Sequence, residues 1–533
     1  MMADPNISYR LRVGVTGHRQ LSDRDAMTEQ AQRALGRARE MVSGPVDLPV
    51  HLRVISPLAE GADRLVARAA LADDNTELEV PLPMPREQYL NDFKTDESKH
   101  EFHDLLDRAS FITVMPESES ADEAYERAGQ YVIERSDVLV ALWDGEPARG
   151  RGGTAEVVAR AREAGLPIIW VSTEQPFRIT EEPGNGIERD PVEQIARFNG
   201  SRIGSRGIDR VIERESRGII GEAQAAGIEP ASVHPYLDWI LPYQAKADVI
   251  AQRYQSLYFA FSTVLFLTAA AAVIVIAGQF LFFPDQPELI WIEVGLMVTL
   301  LLILYLGRRW RLEGMWLSHR FLAERFRSAL FLAVVGQEES VPVSSETIYL
   351  GHSSDEWLRR AFEEVWRRRP APLVEHGVDR LRELLASAWV QNQANYHQRA
   401  AHLNERRHRQ LSFTIAALFG ATLLAAMLHA LEVGGHDDHG SVFSVSNVLV
   451  LLALSLPAMA GALSGFRAQR EYDRNAERFS AMVPYLRAIA DRIRSASDLP
   501  ALRLAALEAE SVMLEENQDW FMVMKFHDFE LHV

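Results

Sequence analysis

Small, basic and acidic side chains follow three short apolar segments in the first third of the chain. They are Thr16, Gly17, His18 and Arg19 in "VGVTGHRQL", Ser56, Glu60, Gly61 and Asp63 in "VISPLAEGAD", and Trp143, Asp144, Gly145, Arg149, Gly152, Gly153, Thr154 and Glu156 in "DVLVALWDGEPARGRGGTAE". Glycine lets backbone N–H groups approach an anion closely, and a helix N-terminus adds partial positive charge. We therefore expect these residues to form a ligand site.

The residue types indicate which ligand such a site would hold. An arginine such as Arg19 or Arg149 pairs with a phosphate through two parallel hydrogen bonds. The carboxylates suit ribose hydroxyls or amino groups, and Trp143 offers a ring on which a base can stack. The set predicts a nucleotide-like ligand and no metal. Each residue also has an ordinary explanation as a turn, helix-cap or core residue, so the prediction depends on the residues meeting at one place.

The elements that must bring them together alternate between strand and helix from residue 10 to residue 174. Apolar, β-branched segments such as "LRVGVTG", "HLRVISPLA" and "LPIIWVST" are separated by helical segments such as "GADRLVARAALAD". This alternation is typical of an α/β doubly wound parallel sheet of the Rossmann-like type. Ligands bind at the carboxyl ends of the strands in such sheets, which is where the candidate residues lie.

The later chain contains four long apolar segments. They cover residues 257–283, 289–307, 411–431 and 447–466, and their only charged residue is Glu293. About 20 apolar residues are needed to cross a membrane core of roughly 30 Å. We predict an α-helical membrane domain with four transmembrane helices grouped as two hairpins.

Basic residues flank the start and the end of each hairpin and are absent from the turn that connects its two spans. The flanks include "RRWR" (308–311) and "RAAHLNERRHRQ" (399–410), whereas the turns are "PDQPE" (284–288) and "EVGGHDDHGS" (432–441). Because basic residues stay on the cytoplasmic side, both termini are expected in the cytoplasm of a multi-pass protein.

The two hairpins look like copies of one unit. The tetrapeptide "AERF" occurs at 323–326 and again at 476–479, and the same offset of 153 residues aligns the apolar segments. Each unit is predicted to contain a leading helix, a hairpin and a long amphipathic exit helix. The expected organisation is a head over 1–174, a linker or lid over 175–236, membrane units over 237–336 and 387–533, and a connecting segment over 337–386.

Composition narrows the classes of function. The 533 residues carry 56 basic and 74 acidic side chains, for a net charge of -18. An acidic chain is a poor candidate for nucleic-acid binding, which depends on clustered lysine and arginine. The chain has no cysteine, which excludes thiolate catalysis and thiolate metal sites.

The strand-end motifs resemble those of the SLOG domain, a Rossmann-like group of nucleotide-ligand sensors. The resemblance rests on "VGVTGHRQL", "ISPLAEGADRLVA", "DVLVALWDG" and "GGTAE", which occur in the expected order. The duplicated hairpin with its flanking helices resembles the SLATT two-helix membrane effector domain. The resemblance implies an effector of a bacterial antiphage, or abortive-infection, system. In such an effector a nucleotide second messenger, cyclic or NAD-derived, binds the sensor and the membrane part permeabilises the inner membrane. It also implies a homo-oligomer and a synthase of the nucleotide signal encoded nearby.

The chain departs from the enzymatic relatives of SLOG, which cleave N-glycosidic bonds with a "PGGxGTxxE" motif. Here the corresponding segment is "GRGGTAE", with no preceding proline and with one residue fewer between Thr154 and Glu156. This difference puts a catalytic Glu156 in doubt. We expect an effector without catalysis and without a cofactor. A membrane-anchored nucleotide hydrolase or N-glycosidase, or a regulated transporter or channel, remains the alternative.

Overall fold

A computed structural model describes residues 5–42, 48–147, 152–201, 203–337, 356–433 and 444–525. The chain divides into two compact units. The first, called the head here, comprises residues 1–201 and 351–365. The second, called the body, comprises residues 202–350 and 366–533.

The head contains one seven-stranded sheet. Its strands are β1 (Tyr9–Gly17), β2 (Val50–Ile55), β3 (Glu77–Leu82), β4 (Phe111–Val114), β5 (Val138–Trp143), β6 (Ile168–Ser172) and β7 (Ile179–Glu182). They lie in the order β4-β3-β2-β1-β5-β6-β7, and every neighbouring pair is parallel except β6 and β7. The predicted α/β class with a largely parallel sheet is confirmed.

Two strands were not predicted. β4, "FITV", is only four residues long and exposes Ile112 and Val114 at the sheet edge, so its apolar pattern is too short to stand out. β7, "ITEE", is polar and closes the opposite edge by antiparallel pairing with β6. Short or polar edge strands of this kind are a common way of avoiding unwanted strand pairing.

Helices of the head cover the sheet. They are α1 (Arg24–Val42), α2 (Ala62–Ala70), α3 (Arg86–Tyr89), α4 (Asp96–Asp107), α5 (Ala121–Arg135), α6 (Thr154–Glu163) and α7 (Arg189–Gly200). Residues 175–236, interpreted from sequence as a linker or lid, contain β7, α7 and a further helix, α8 (Ser205–Ala225), which belongs to the body.

The segment between the hairpins contributes a helix to the head. In α12 (Glu356–Trp366), residues up to Val365 belong to the head unit. Arg360 donates hydrogen bonds of 3.0 and 2.6 Å to the carboxylate of Asp137, which directly precedes β5. Burial acts to raise the pKa of Asp137, but the guanidinium groups of Arg360 and Arg12 outweigh it and hold that pKa well below its usual range. Residues 337–386, read from sequence only as a connector, therefore supply part of the head.

The body is helical. In chain order after α8 it contains α9 (Pro230–Phe282), α10 (Ile290–Arg309), α11 (Leu312–Val335), α13 (Val378–Leu384), a π-helical stretch (Leu385–Gln391), α14 (Asn392–Ala430), α15 (Val445–Arg470), α16 (Tyr472–Ser495) and α17 (Leu499–Lys525). Four of its helical segments are long and apolar enough to cross a membrane, and they contain the four predicted spans. The predicted four-helix membrane domain is confirmed to that extent.

The helical architecture repeats. Each hairpin unit begins with a helical segment of 53 residues, over 230–282 and 378–430, and ends with segments of 49 and 51 residues. A 53-residue helix is about 80 Å long, more than twice the apolar thickness of a membrane, so each must extend well beyond the span. The second helix of each unit is interrupted by one residue in the left-handed conformation, Arg311 or Glu471.

The two copies of "AERF" do not occupy equivalent positions. The exit helices α11 and α16 are both 24 residues long and begin 160 residues apart, at Leu312 and Tyr472. The two "AERF" copies are 153 residues apart, which displaces them by about two helical turns. The matching lengths and the left-handed joints, rather than the tetrapeptide, define the repeat.

Candidate ligand-binding site

The candidate site lies where the strand order reverses. β1 pairs with β2 on one side and with β5 on the other. Strands β2, β3 and β4 follow one another on the first side of β1, and strands β5 and β6 follow on the other side. The connections after β1 and β5 therefore diverge and leave a crevice at the carboxyl ends of these two strands. This is the usual ligand position in an open parallel sheet.

Short backbone contacts hold the turn after β1 in place. The N–H of His18 donates to the carbonyl of Leu142 at 3.0 Å, and the N–H of Ala62 donates to the carbonyl of His18 at 3.0 Å. A Cβ atom on Gly17 would lie 2.4 Å from the Cβ of Ala62 and 2.6 Å from the carbonyl oxygen of Leu142. Glycine is required at position 17 because the first strand, the fifth strand and α2 meet there.

A cavity of about 620 Å³ occupies the crevice, and it brings most of the predicted site residues together. The predicted residues that line it are Thr16, Gly17, His18, Arg19, Asp63, Trp143, Asp144, Gly152, Gly153 and Thr154. Residues from three separate parts of the sequence thus share one concave surface. A volume of this size is in the range of small-molecule pockets.

The other predicted residues support the turns behind this surface. Ser56 donates to the carbonyl of Asp63 at 3.2 Å, and Glu60 accepts a hydrogen bond from Ser98. Gly61 and Gly145 have positive φ angles of 87° and 89°, which glycine adopts without strain. These residues are absent from the cavity lining. Arg149 lies outside the described residues.

Glu156 is also absent from the lining, because its carboxylate is engaged elsewhere. It accepts the N–H of Gly152 at 2.7 Å and pairs with Arg160 at 2.8 Å, one helical turn further along α6. The carboxylate therefore closes the glycine turn and caps the start of the helix. This geometry gives Glu156 a structural role.

Trp143 lines the cavity but is poorly placed to stack on a base. Its ring packs against Trp170 with 5.6 Å between centroids, and its indole N–H donates to the carbonyl of Glu146 at 3.1 Å. Only 7% of the residue is exposed. The tryptophan mainly serves the core.

Tyr89, Asp92 and Tyr125 line the cavity and were missed from the sequence. Arg19 lies over the Tyr125 ring at 5.3 Å from its centroid, and the Tyr125 hydroxyl donates to Asp92. The Tyr89 hydroxyl is buried and has no hydrogen-bond partner among the described residues. Such an orphaned polar atom in a cavity-lining residue suits a ligand contact, because a buried unsatisfied group is unfavourable. The sequence signal for Tyr89 and Asp92 was the polar segment after β3, "MPREQYLND", which also begins at a strand end.

Asp63 is the perturbed acid of the cavity. Burial raises its pKa to about 7, and the N–H of Ala59 together with the charge of Arg19 offsets only part of that effect. The side chain is 5% exposed. Near neutral pH this carboxyl group exists in both protonation states, so it can either donate or accept a hydrogen bond.

The charge of the lining indicates which part of a nucleotide it would contact. Arg19 is its one arginine among the described residues, whereas its carboxylates are Asp63, Asp92, Asp122, Asp144 and Glu146. Carboxylates bind hydroxyl and amino groups and repel phosphate. Anion binding is therefore confined to the N-terminus of α6, where Gly153 is the N-cap and supplies no side chain, and to Arg19.

Comparison with known families supplies one match. Residues 387–520 match the model described as "SMODS and SLOG-associating 2TM effector domain 1", so the second hairpin unit is similar to that domain. No curated protein matches the chain. The family match and the four apolar helices together indicate a membrane protein whose residues 387–520 are similar to a two-transmembrane effector domain.

Proposed function

We propose that this protein is a ligand-gated membrane effector of a bacterial antiphage system. The head binds a nucleotide-derived second messenger in the cavity at the ends of β1 and β5. The body then oligomerises or opens and permeabilises the inner membrane. The observation that carries the proposal is the presence, in one chain, of a switch-point cavity and a 2TM effector domain.

The proposed topology follows from the distribution of charge. Basic segments border the cytoplasmic ends of the spans, and the turns between spans contain no lysine or arginine. Under the positive-inside rule both termini, and with them the head, face the cytoplasm. A cytoplasmic head has access to a diffusible messenger produced by a separate synthase.

The composition of the cavity favours a ligand with few phosphates. Five carboxylates and one arginine among the described lining residues suit a ligand that presents ribose hydroxyls and base amino groups. Tyr125, only partly buried, offers the ring on which a base can stack. We propose an NAD-derived or small cyclic nucleotide rather than a highly charged cyclic oligonucleotide.

The chain also supplies a route by which the head can act on the body. It leaves the head after Ser201 and returns to it with α12, whose ion pairs with Asp137 and Arg10 are mostly buried. A change in the head can therefore pull on the sequence that precedes the first hairpin and on the sequence between the hairpins. The chain passes between the two units three times, and three covalent links constrain the body more than one flexible linker would.

The test of ligand binding is a thermal-shift panel with the full-length protein in nanodiscs. A ligand at a hundredfold excess over its dissociation constant stabilises the site by about 2.7 kcal/mol. Arg19→Ala and Gly153→Asp are expected to abolish the shift, because they remove the cation and place a carboxylate at the start of α6. Arg24→Ala, in the exposed first turn of α1, is the matched control and should respond like the wild type.

The test of execution is ligand-dependent dye release from liposomes that contain the wild-type protein. Release should require a ligand that produces a thermal shift and should be lost in Arg19→Ala. Binding without release would contradict the pore-forming step alone. Wild-type shifts in both cavity variants would contradict the proposed site.

A second candidate, nucleotide hydrolysis or N-glycosidic cleavage, is favoured by one observation. Asp63 has a pKa of about 7 inside the cavity, which suits a general acid. Incubation of the protein with NAD and nucleotide monophosphates, followed by chromatography, distinguishes the two functions. The effector proposal expects no released base, whereas release that disappears in Asp63→Asn would establish catalysis.

A further inference from the structure

A second and larger cavity lies within the helical body. Its volume is about 1250 Å³, and it is lined by residues of both hairpin units, including Phe259, Trp316, Arg407 and Arg470. The head contributes none of the lining residues. The proposed function uses no feature of this cavity, so its role has to be derived from its own residues.

The cavity reaches the level at which the spans meet the cytoplasm. Phe259 is the third residue of the first apolar segment, Arg407 precedes the third by four residues, and Arg470 follows the fourth by four residues. At 1.5 Å per residue, four residues correspond to about 6 Å along a helix. In the membrane, this part of the lining therefore lies at the depth of the lipid headgroups.

Arginines dominate the charge of the body cavity's lining. The arginines of the lining are Arg214, Arg320, Arg327, Arg399, Arg407, Arg470 and Arg478, and its carboxylates are Glu215, Glu222, Asp248 and Glu324. Arg320 pairs with Asp248 at 3.1 Å and with Glu324 at 2.6 Å, so part of the cluster is internally neutralised. The remainder leaves the cavity with a positive balance.

The two arginines at headgroup depth contact aromatic rings. Arg470 lies 3.6 Å from the ring centroid of Phe259, and Arg407 lies 5.9 Å from that of Tyr472. No ion pair joins either arginine to a carboxylate within the described part of the chain. A guanidinium stacked on a ring keeps its N–H groups directed outward and available for an anion.

Two buried polar atoms in the same lining lack partners among the described residues. They are Nε1 of Trp389 and Nδ1 of His397, whose residues are 1% and 6% exposed. The indole N–H is a donor only and cannot be satisfied by another donor. Trp389 is fixed by stacking on Phe331 at 5.2 Å and belongs to the π-helical stretch, a backbone form often found at functional sites.

We propose that this cavity binds the phosphodiester headgroup of an anionic phospholipid from the cytoplasmic leaflet. The phosphate accepts hydrogen bonds from Arg407 and Arg470. The apolar walls, which include Phe259 and Leu403, cover the glycerol and the first carbons of the acyl chains. Basic pockets between transmembrane helices at the cytoplasmic surface recognise lipids in this way.

The lipid site links the two hairpin units, because its walls come from both. A bound headgroup would hold α9 and α11 of the first unit against α14 and the end of α15 in the second. It is separate from the head cavity and does not rest on the proposed function. A head variant such as Arg19→Ala is expected to bind the lipid as the wild type does.

The test uses the full-length protein purified in detergent, with lipids added back. Phosphatidylglycerol and cardiolipin should raise its unfolding temperature and remain bound in native mass spectra, whereas phosphatidylcholine should do neither. Inorganic phosphate and a soluble nucleotide, added without lipid, separate a headgroup site from a site for free anions. Stabilisation by the soluble anions to the same extent, or by phosphatidylcholine, would overturn the proposal.

Variants locate the binding in the cavity. Arg407→Gln together with Arg470→Gln should weaken the binding of phosphatidylglycerol about thirtyfold, at about 1 kcal/mol for each basic residue. Arg406→Gln is the matched control: it removes a neighbouring charge on the same helix that does not line the cavity. Equal loss in the control would mean that general surface charge, and not a site, retains the lipid.

Trp389→Phe is a control at the far end of the cavity, because Trp389 lies 18 residues, or about 27 Å, from Arg407 along one helical run and so beyond the reach of a headgroup bound there. The stacking on Phe331 is preserved, so the fold should be retained, as judged by the unfolding temperature in phosphatidylcholine. Affinity for phosphatidylglycerol should be unchanged. An unchanged affinity in the double arginine variant, or an equal loss in Trp389→Phe, would reject the site.

Discussion

The head cavity and the body cavity differ in how they are built. The head cavity is formed by backbone turns at strand ends, with Gly17, Gly152 and Gly153 in its lining and one arginine among its described residues. The body cavity is formed by long side chains from helices that are far apart in sequence, and arginines dominate its lining. The head has the shape and chemistry for a compact polar ligand, and the body has those for an anion attached to an apolar chain.

This difference predicts where each site is fragile. A site made of backbone turns fails when a glycine acquires a side chain, because main-chain atoms cannot move aside. A site made of side chains tolerates local changes of shape but fails when its charges are removed. The four predictions below test this contrast, beginning with the largest expected effect.

Gly17→Val should destabilise the head by about 3 kcal/mol or more, because overpacking against backbone is poorly relieved. The new Cβ would lie 2.6 Å from the carbonyl oxygen of Leu142. Urea unfolding, followed by hydrogen exchange of β1 and α2, measures the loss. Gly36→Ala, within α1 and with open space around the glycine, is the control and should be neutral or slightly stabilising. A head that tolerates valine at position 17 would contradict a backbone-built site.

Gly465→Leu should destabilise the body by about 1–3 kcal/mol, because a Cβ there would lie 2.6 Å from the Phe266 ring. Gly461, one helical turn earlier, has no atom within 4 Å of its Cβ position. Gly461→Leu should therefore leave the fold of the protomer intact. It should impair oligomer formation or dye release if α15 contacts a second copy through its small residues. Crosslinking and liposome leakage measure these effects. Wild-type assembly and leakage in Gly461→Leu would exclude that face from the mechanism.

The binding of an anionic ligand in the head should weaken as the pH rises through 7. Burial raises the pKa of Asp63 in the folded state to about 7, whereas its value in the unfolded state is about 3.9. The stability that the protonated carboxyl group contributes is therefore fully present below pH 3.9 and is lost as the pH rises to 7. Between pH 6 and pH 8 the loss of affinity should be about fivefold, or roughly 1 kcal/mol. Calorimetry at several pH values measures it. Asp63→Asn should abolish this dependence, and an unchanged pH profile in the variant would exclude Asp63 as its source.

The stability of the body should depend on pH in the opposite sense and to a smaller extent. Burial lowers the pKa of His397 to about 4, although the charge of Glu324 acts to raise it. The folded-state pKa lies below the unfolded value of about 6.5, so the neutral ring contributes stability above pH 6.5 that is lost as the pH falls towards 4. Between pH 7 and pH 6 the loss should be about 0.7 kcal/mol. Hydrogen exchange of the π-helical stretch in the wild type and in His397→Gln measures it. Equal pH responses of the two proteins would contradict this assignment.

Much of the head site could be predicted because its residues follow strands directly. The carboxyl ends of parallel strands share one edge of the sheet. A local sequence pattern, an apolar segment followed by Gly-His-Arg, therefore predicted which residues lie close together in space. The cavity lining differs from the predicted set where residues at this edge of the sheet point away from the cavity. Ser56 and Glu60 are at that edge but bond to neighbouring turns, and Glu156 closes the glycine turn with Gly152 and Arg160. Side-chain direction within a turn depends on backbone angles that neighbouring residues decide jointly.

The body shows a similar division. The four spans were evident from hydrophobicity alone, because the membrane requires long uninterrupted apolar segments. The repeat was evident too, but "AERF" gave the wrong register, since a tetrapeptide shared by two amphipathic helices can recur at any multiple of a helical turn. The equal lengths of α11 and α16 and the left-handed residues that precede them correct the register.

The sequence by itself thus determined most of the elements: five of the six parallel strands, the four apolar helices, and the strand-end residues from which the head site is built. These depend on local periodicity and on the solvent that each segment requires. Tertiary structure alone decided the contribution of α12 to the head, the inclusion of Tyr89 and Tyr125 in the ligand cavity, and the presence of Arg407 and Arg470 in the lining of one cavity of the body. Such clusters depend on the packing of segments separated by tens to hundreds of residues. No local pattern encodes that packing, because each residue in it is equally compatible with a solvated helix face.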